Sequence, residues 1–156
     1  VMRRMLMLTA GLVFLVLLSG CSSEGEQNIY GVYTFEEVSY LSPLSSATKG
    51  YVNSQMEETK YTIKKDLFKI ESTDYAVEFS SPDYVKEEIS GEPSVLSDVY
   101  TFIGRDVDYQ YTIYDKDGNK TKLRLYISSD YLWIGTYVDN TADGSEIIMD
   151  IYRLSK

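Results

Sequence analysis

The chain has 156 residues, one cysteine, no histidine and 15 tyrosines, with 24 acidic against 15 basic side chains. Without histidine, Ser/His/Asp triads, Cys/His pairs and His-ligated metals are excluded. A single cysteine leaves no internal disulfide, iron–sulfur cluster or zinc ribbon. A net charge of −9 opposes nucleic-acid binding, which needs a basic surface to neutralise phosphates. The length suits one domain with a sizeable core.

Arg3 and Arg4 precede an almost wholly apolar run from Met5 to Leu18. A membrane-spanning helix needs about 20 apolar residues. This run is shorter, with the length of a signal-peptide core ahead of the small residues Ser19 and Gly20. Leu18-Ser19-Gly20-Cys21 resembles a bacterial lipobox. The resemblance implies a lipoprotein signal peptide over residues 1–20, acylation of Cys21 and a lipid-anchored, extracytoplasmic protein. Ser22, rather than Asp, after the cysteine implies the outer membrane if the cell has two. Several acyl chains anchor stably, because each buried methylene adds ~0.8 kcal/mol. Residues 21–28 then form the acylated cysteine and a polar, flexible tether. Loss of Arg3 and Arg4 moves the net charge to −11, so the mature domain is repelled by an anionic lipid surface and stands off it.

Over residues 29–156 the dominant signal is period-2 alternation in stretches rich in Tyr, Ile, Val and Thr, which predicts strands. Ile29–Val38 alternates with Ile29, Gly31, Tyr33 and Phe35 on one side. Between Leu41 and Thr59, Ala47, Tyr51, Val52 and Met56 fall on one helical stripe, although Gly50 weakens it by about 1 kcal/mol. Lys60–Lys64, Leu67–Ile70 and Tyr75–Phe79 read as short strands, and Ser94–Gly104 as a further strand or a short helix. Val107–Asp115 places Val107, Tyr109, Tyr111 and Ile113 on one face. A Gly-containing turn leads to Lys120–Ser128, where Leu123, Leu125 and Ile127 oppose Lys122, Arg124 and Tyr126. Tyr131–Val138 and Glu146–Leu154 form a second hairpin across Asp139–Ser145. The pattern predicts an all-β antiparallel meander of about eight strands, closed into a barrel that removes exposed edges, with a short helical insertion after the first strand.

This layout resembles the lipocalin-like (calycin) group of small bacterial lipoproteins. Gly31-Val32-Tyr33 is similar to the G-x-W of lipocalins, with Tyr for Trp. Arg153 resembles the basic residue that packs over that ring, making Gly31, Tyr33 and Arg153 the barrel-base set. Gly31 and Tyr33 share a face by alternation, as do Ile147, Met149, Ile151 and Arg153. The helical insertion is similar to the lid of fatty-acid-binding barrels. The chain departs from the family in having no Trp in the first strand, no disulfide and no helix after the barrel. The resemblance implies an apolar-ligand cup or a surface used against another protein.

Two acidic turns, with Asp115, Asp117 and Asn119 in one and Asp139 and Asp143 in the other, have the oxygen-rich alternation of calcium loops and emerge at one end of the meander. Asp, Asn and Gly are equally the residues that turns demand. Five residues past Gly118 stands Leu123, not a bidentate Glu, and no metal or cofactor is expected. Adjacent carboxylates such as Glu36-Glu37 diverge on strands and helices alike, so catalysis is not expected either. The reading is a non-enzymatic binding module for a small apolar or amphipathic ligand. Its inward candidates are Tyr33, Phe35, Tyr109, Tyr111, Leu125 and Met149, with Tyr51 and Met56 on the lid. The alternative is a module for a basic protein partner, such as an envelope-enzyme inhibitor or an assembly factor, steered by the acidic surface. A barrel filled to its axis is a third outcome that alternation does not separate from a hollow one.

Overall fold

The computed structural model describes residues 28–89, 97–104, 107, 109–128 and 130–156. The signal peptide, Cys21 and most of the tether lie outside the described residues, as do 94–96 of the segment expected to be a strand or short helix. The elements in chain order are β1 (Gly31–Leu41), α1 (Lys49–Met56), β2 (Lys60–Lys64), β3 (Leu67–Glu71), β4 (Ala76–Ser80) and β5 (Asp83–Glu87). They continue with α2 (Val99–Ile103), β6 (Tyr109–Tyr114), β7 (Lys120–Ser128), β8 (Tyr131–Asp139) and β9 (Glu146–Ser155). Among the described residues no helix is long and apolar enough to cross a membrane.

Among the described residues nine strands form one antiparallel sheet in the order β4-β3-β2-β1-β9-β8-β7-β6-β5. The predicted all-β meander is therefore present, curled so that its last strand pairs with its first. The hydrogen-bonded ladder is open between β4 and β5, so a closed barrel is not what the pairing displays. Those two edge strands are nonetheless consecutive in the chain, separated only by Ser81 and Pro82. Proline supplies no donor and breaks a ladder, and Ser81 takes a left-handed φ of 49°. The Tyr84 hydroxyl reaches from β5 to donate to the Lys64 and Leu67 carbonyl oxygens at 3.0 and 3.3 Å, tying it to the turn between β2 and β3.

The concave face of the sheet and the opposite face of its β7–β9 part are buried, by different means. The concave face carries one cluster that includes Tyr33, Phe35, Tyr61, Phe68, Ile113, Leu125 and Leu154, with Met56 from α1. The opposite face of β7–β9 carries Tyr126, Trp133, Tyr137, Ile148 and Ile151, covered by Val99 and Phe102 of α2 and by Val107. Tyr40 of β1 stacks on Phe102 with centroids 3.6 Å apart. Val107 thus belongs to the outer cluster and not, as alternation predicts, to the face of Tyr111. Arg124 and Tyr126 face away from Leu125 as expected, but they are buried rather than solvated.

Three bulges reset the alternation. Glu36 and Ser39 are extra residues in β1 against β9, and Met149 is extra in β9 against β8. Because strand side chains have period 2, each extra residue exchanges the faces beyond it. The expected single face of Ile147, Met149, Ile151 and Arg153 is therefore wrong. Ile151 and Arg153 share the outer face, while Met149 is the bulged residue, its carbonyl accepting from Ser42 N at 2.8 Å.

Candidate functional site

Five of the candidate ligand residues, Tyr33, Phe35, Met56, Tyr111 and Leu125, meet in the concave cluster. They do not line a cup. A hollow wide enough for water would leave accessible area on its walls, yet Ile63, Phe68, Ile113 and Leu125 are 0% exposed. The middle of the interior is filled. Tyr109 lies at the rim with the Lys86 ammonium 3.8 Å from its ring centroid. Tyr51 is 61% exposed on α1 and is not an inward lid contact. The α1 stripe turns Val52 and Met56 inward instead, and the helix is held by the Asn53 side-chain oxygen, which accepts from Val38 N at 3.0 Å.

Arg153 does not cover Tyr33. The Glu36 bulge lets two consecutive carboxylates reach the same guanidinium: Nε and Nη2 donate to Glu36 at 2.9 and 2.8 Å, and Nη1 lies 3.1 Å from Glu37. The guanidinium carbon sits 5.3 Å from the Tyr131 ring centroid on the outer face. It is Lys156 whose ammonium lies over Tyr33, at 5.4 Å. Gly31 leaves room for that packing, since a Cβ there would stand 3.1 Å from Tyr33 Cε2 and 3.3 Å from Lys156 Cε.

Where β1 begins and β9 ends, a pocket of about 380 Å³ opens. Tyr33, Ile127, Leu132 and Leu154 give it an apolar floor continuous with the core. Asn28, Ser128, Asp130 and Lys156 give it a polar rim. The Tyr33 hydroxyl donates to the Ile29 carbonyl oxygen at 3.0 Å, which orients the ring along the floor. Its size falls in the range of about 300–1,000 Å³ typical of small-molecule sites. Tyr33 is the one sequence candidate on its walls. The others were missed because they sit at strand ends and turns, where alternation carries no information.

At the other end of the concave face, beneath α1, a polar group interrupts the apolar lining. Thr136 and Tyr152 stand close enough to the Asp150 carboxylate of β9 to favour its charge, and Tyr61 and Tyr75 stand close enough to interact with it. Burial pushes the Asp150 carboxyl above its ordinary value. Burial likewise drives the Tyr61 and Tyr152 hydroxyls far up. Asp150 Oδ1 and the Tyr61 hydroxyl are buried with no hydrogen-bond partner, a condition that costs about 1–3 kcal/mol per group. The signal in the sequence was a lone Asp inside the apolar run Ile147–Ile151.

The acidic turns behave as turns. Asp115 Oδ1 accepts from Asp117 N and Asn119 N at 2.9 and 2.8 Å and Oδ2 from Asn119 Nδ2 at 3.0 Å, and these bonds, led by the one from the Asn119 side chain, hold its carboxyl below the ordinary range. Asp139 pairs with Lys122 at 2.6 Å, and Asp143 accepts from Ser145. Among the described residues no group of three or more potential ligands is placed to hold a metal ion.

No protein-family model, characterised protein or solved structure matches this chain.

Proposed function

We propose that this chain is a lipid-anchored, extracytoplasmic lipoprotein that binds a small amphipathic ligand without catalysing its conversion. The observation that carries the reading is the pocket at the Lys156 end, whose apolar floor and polar rim suit a molecule with one greasy and one polar end. The anchor rests on Leu18-Ser19-Gly20-Cys21 behind the apolar run. Closure into a lipocalin-like barrel is supported by the two-residue link between the edge strands and by the Tyr84 hydrogen bonds across it. The filled middle of the interior favours a ligand at the end of the sheet over one at its axis.

The test is titration of the full chain in lipid nanodiscs with dansylundecanoate, whose emission rises on leaving water, against empty nanodiscs as the blank. Saturable binding is expected in the native chain. It should be lost in Ser128→Trp, which fills the pocket from its half-buried rim. A response equal to the blank, or one unchanged by Ser128→Trp, overturns the reading. Pull-downs at low salt for a basic protein partner would then take its place, because the net charge of −9 steers such a partner within a Debye length of about 10 Å at 0.1 M salt.

A further inference from the structure

Most of the polar wall of the pocket at the Lys156 end is already committed within the chain. The Tyr33 hydroxyl donates to the Ile29 carbonyl oxygen at 3.0 Å. Asn28 Oδ1 accepts from Tyr30 N at 2.9 Å, and the Ser155 hydroxyl lies 3.1 Å from that of Thr34. Glu36 takes two hydrogen bonds from Arg153, at 2.9 and 2.8 Å, so its charge is answered. Two charged wall groups are left, the Lys156 ammonium and the Asp130 carboxylate. Among the described residues neither has an ion-pair partner. The Lys156 ammonium is nevertheless held over the floor, 5.4 Å from the Tyr33 ring centroid.

A tail laid on the apolar floor brings its head against both charges. An anionic head gains Lys156 but is repelled by Asp130, and a cationic head meets the reverse. A neutral head strips water from both and returns no charge. A head with one anion and one cation complements the pair and is opposed by neither. We infer that the pocket selects a zwitterionic amphiphile, its anion at Lys156 and its cation at Asp130. The inference rests on the amphiphile-binding reading of this pocket and adds the headgroup to it. A volume of about 380 Å³, near the low end for small-molecule sites, suits one tail rather than two. Lys156 follows the last residue of β9 and Asp130 stands in the turn from β7 to β8, both exposed, so each charge can be removed by itself. Exposed ion pairs are weak, and each should change affinity by roughly two- to fivefold. Two sources carry such a head, a free amphiphile and a lipid of the surrounding membrane.

The full chain in phosphatidylglycerol nanodiscs, which offer no zwitterionic lipid, is loaded with dansylundecanoate. Four amphiphiles with the same decyl tail then compete below their micellar concentrations: a sulfobetaine, a sulfate, a trimethylammonium and a maltoside. Empty nanodiscs correct the free concentrations. The sulfobetaine should displace the probe at a concentration roughly two- to fivefold below the other three. Asp130→Asn should erase its advantage over the sulfate, and Lys156→Gln its advantage over the trimethylammonium. Thermal midpoints equal to the native value separate lost selection from lost fold. Replacing part of the phosphatidylglycerol by phosphatidylcholine assigns the source: weaker probe binding points to a membrane lipid, unchanged binding to a free amphiphile. No saturable binding of dansylundecanoate overturns the pocket reading itself, and this inference with it. Saturable binding in which a neutral or singly charged head competes as well as the sulfobetaine overturns the inference alone. So does a ranking that neither substitution changes.

Discussion

Glu146 and Asp150 are two even-numbered residues of one strand, and strict alternation puts them on the same face. They lie on opposite faces because Met149, between them, is bulged. Glu146 reaches the outer surface, where it pairs with Arg124 at 2.9 Å and Lys120 at 2.8 Å. Asp150 turns inward among tyrosines. The same chemical group is thereby pushed in opposite directions.

For Asp150, burial raises the carboxyl pKa in the folded chain above its ordinary value of 3.8. A group that holds its proton more tightly when folded imposes no penalty below the unfolded value. The penalty grows as pH rises through the folded one. Asp150→Asn is neutral throughout, so it should be more stable than the native chain at pH 7. The advantage should vanish below the ordinary value. Urea denaturation of both chains at pH 7 and near pH 3 reads this directly. A constant difference across that range would mean that the carboxyl is not destabilised in the fold.

Glu146 carries the reverse sign. Partial burial works against its ionisation, but the hydrogen bond from Lys120 and the charge of Arg124 outweigh it and hold the carboxyl below its ordinary 4.5. Its contribution is present above the unfolded value and disappears as pH falls through the folded one. Arg124 is 2% exposed, and with Glu146 removed its Nη1 keeps only the Thr121 and Leu123 carbonyl oxygens. Glu146→Gln should cost about 1–3 kcal/mol at neutral pH, from a weakened hydrogen bond to a buried charge. It should also flatten the acid limb of the stability curve. Thermal melts from pH 7 down through 4.5 would test both parts.

Gly135 stands opposite Arg124 on β8, and a Cβ there would come 3.1 Å from Tyr126 Cε2. The ring has nowhere to go. Tyr126 is 0% exposed, and its hydroxyl is hydrogen-bonded to that of Tyr137. Gly135→Ala should therefore destabilise the chain by about 1–3 kcal/mol through overpacking, more than the ~0.5–1 kcal/mol that loss of glycine flexibility returns. Gly50 in α1 is the matched control, because nothing lies within 4 Å of a Cβ there. Gly50→Ala should stabilise by about 0.5–1 kcal/mol. Opposite signs in chemical denaturation are the expected result.

Alternation made β6 to β9 legible because turns carrying Asp, with Gly and Asn in two of them, punctuate runs rich in Tyr, Ile, Leu and Val. It failed where a backbone irregularity had no residue of its own to announce it. Glu36, Ser39 and Met149 are ordinary strand residues, so the bulges that redirect Arg153 and Asp150 leave no trace in composition. The β5 strand was hidden by Pro82 and by the charged Asp83, Lys86 and Glu87. The outer cluster was hidden because Arg124 reads as a solvated position, and what covers that face is α2, distant in sequence. The pocket was not legible for a related reason: Asn28, Ser128, Asp130 and Lys156 come from four separate strand ends.

Ser81 is the point at which the two edges of the sheet join, and it is the one described residue other than glycine with positive φ. Left-handed backbone costs an L-residue about 1–2 kcal/mol. The conformation is held from both sides: Ser81 N donates to the Asp66 carbonyl oxygen at 2.8 Å, and Pro82 disfavours the right-handed α region for the residue before it. Glycine removes the strain but adds ~0.5–1 kcal/mol of chain entropy to be lost on folding. Ser81→Gly should therefore stabilise by only ~0.5 kcal/mol, the difference of those terms. Ser81→Val should destabilise by more than about 1 kcal/mol, since a β-branched side chain tolerates positive φ least. Comparing the three chains by urea denaturation tests the conformation itself. A valine as stable as serine would mean that the chain passes from β4 to β5 through ordinary extended backbone, and that the sheet's open seam is not set by this residue.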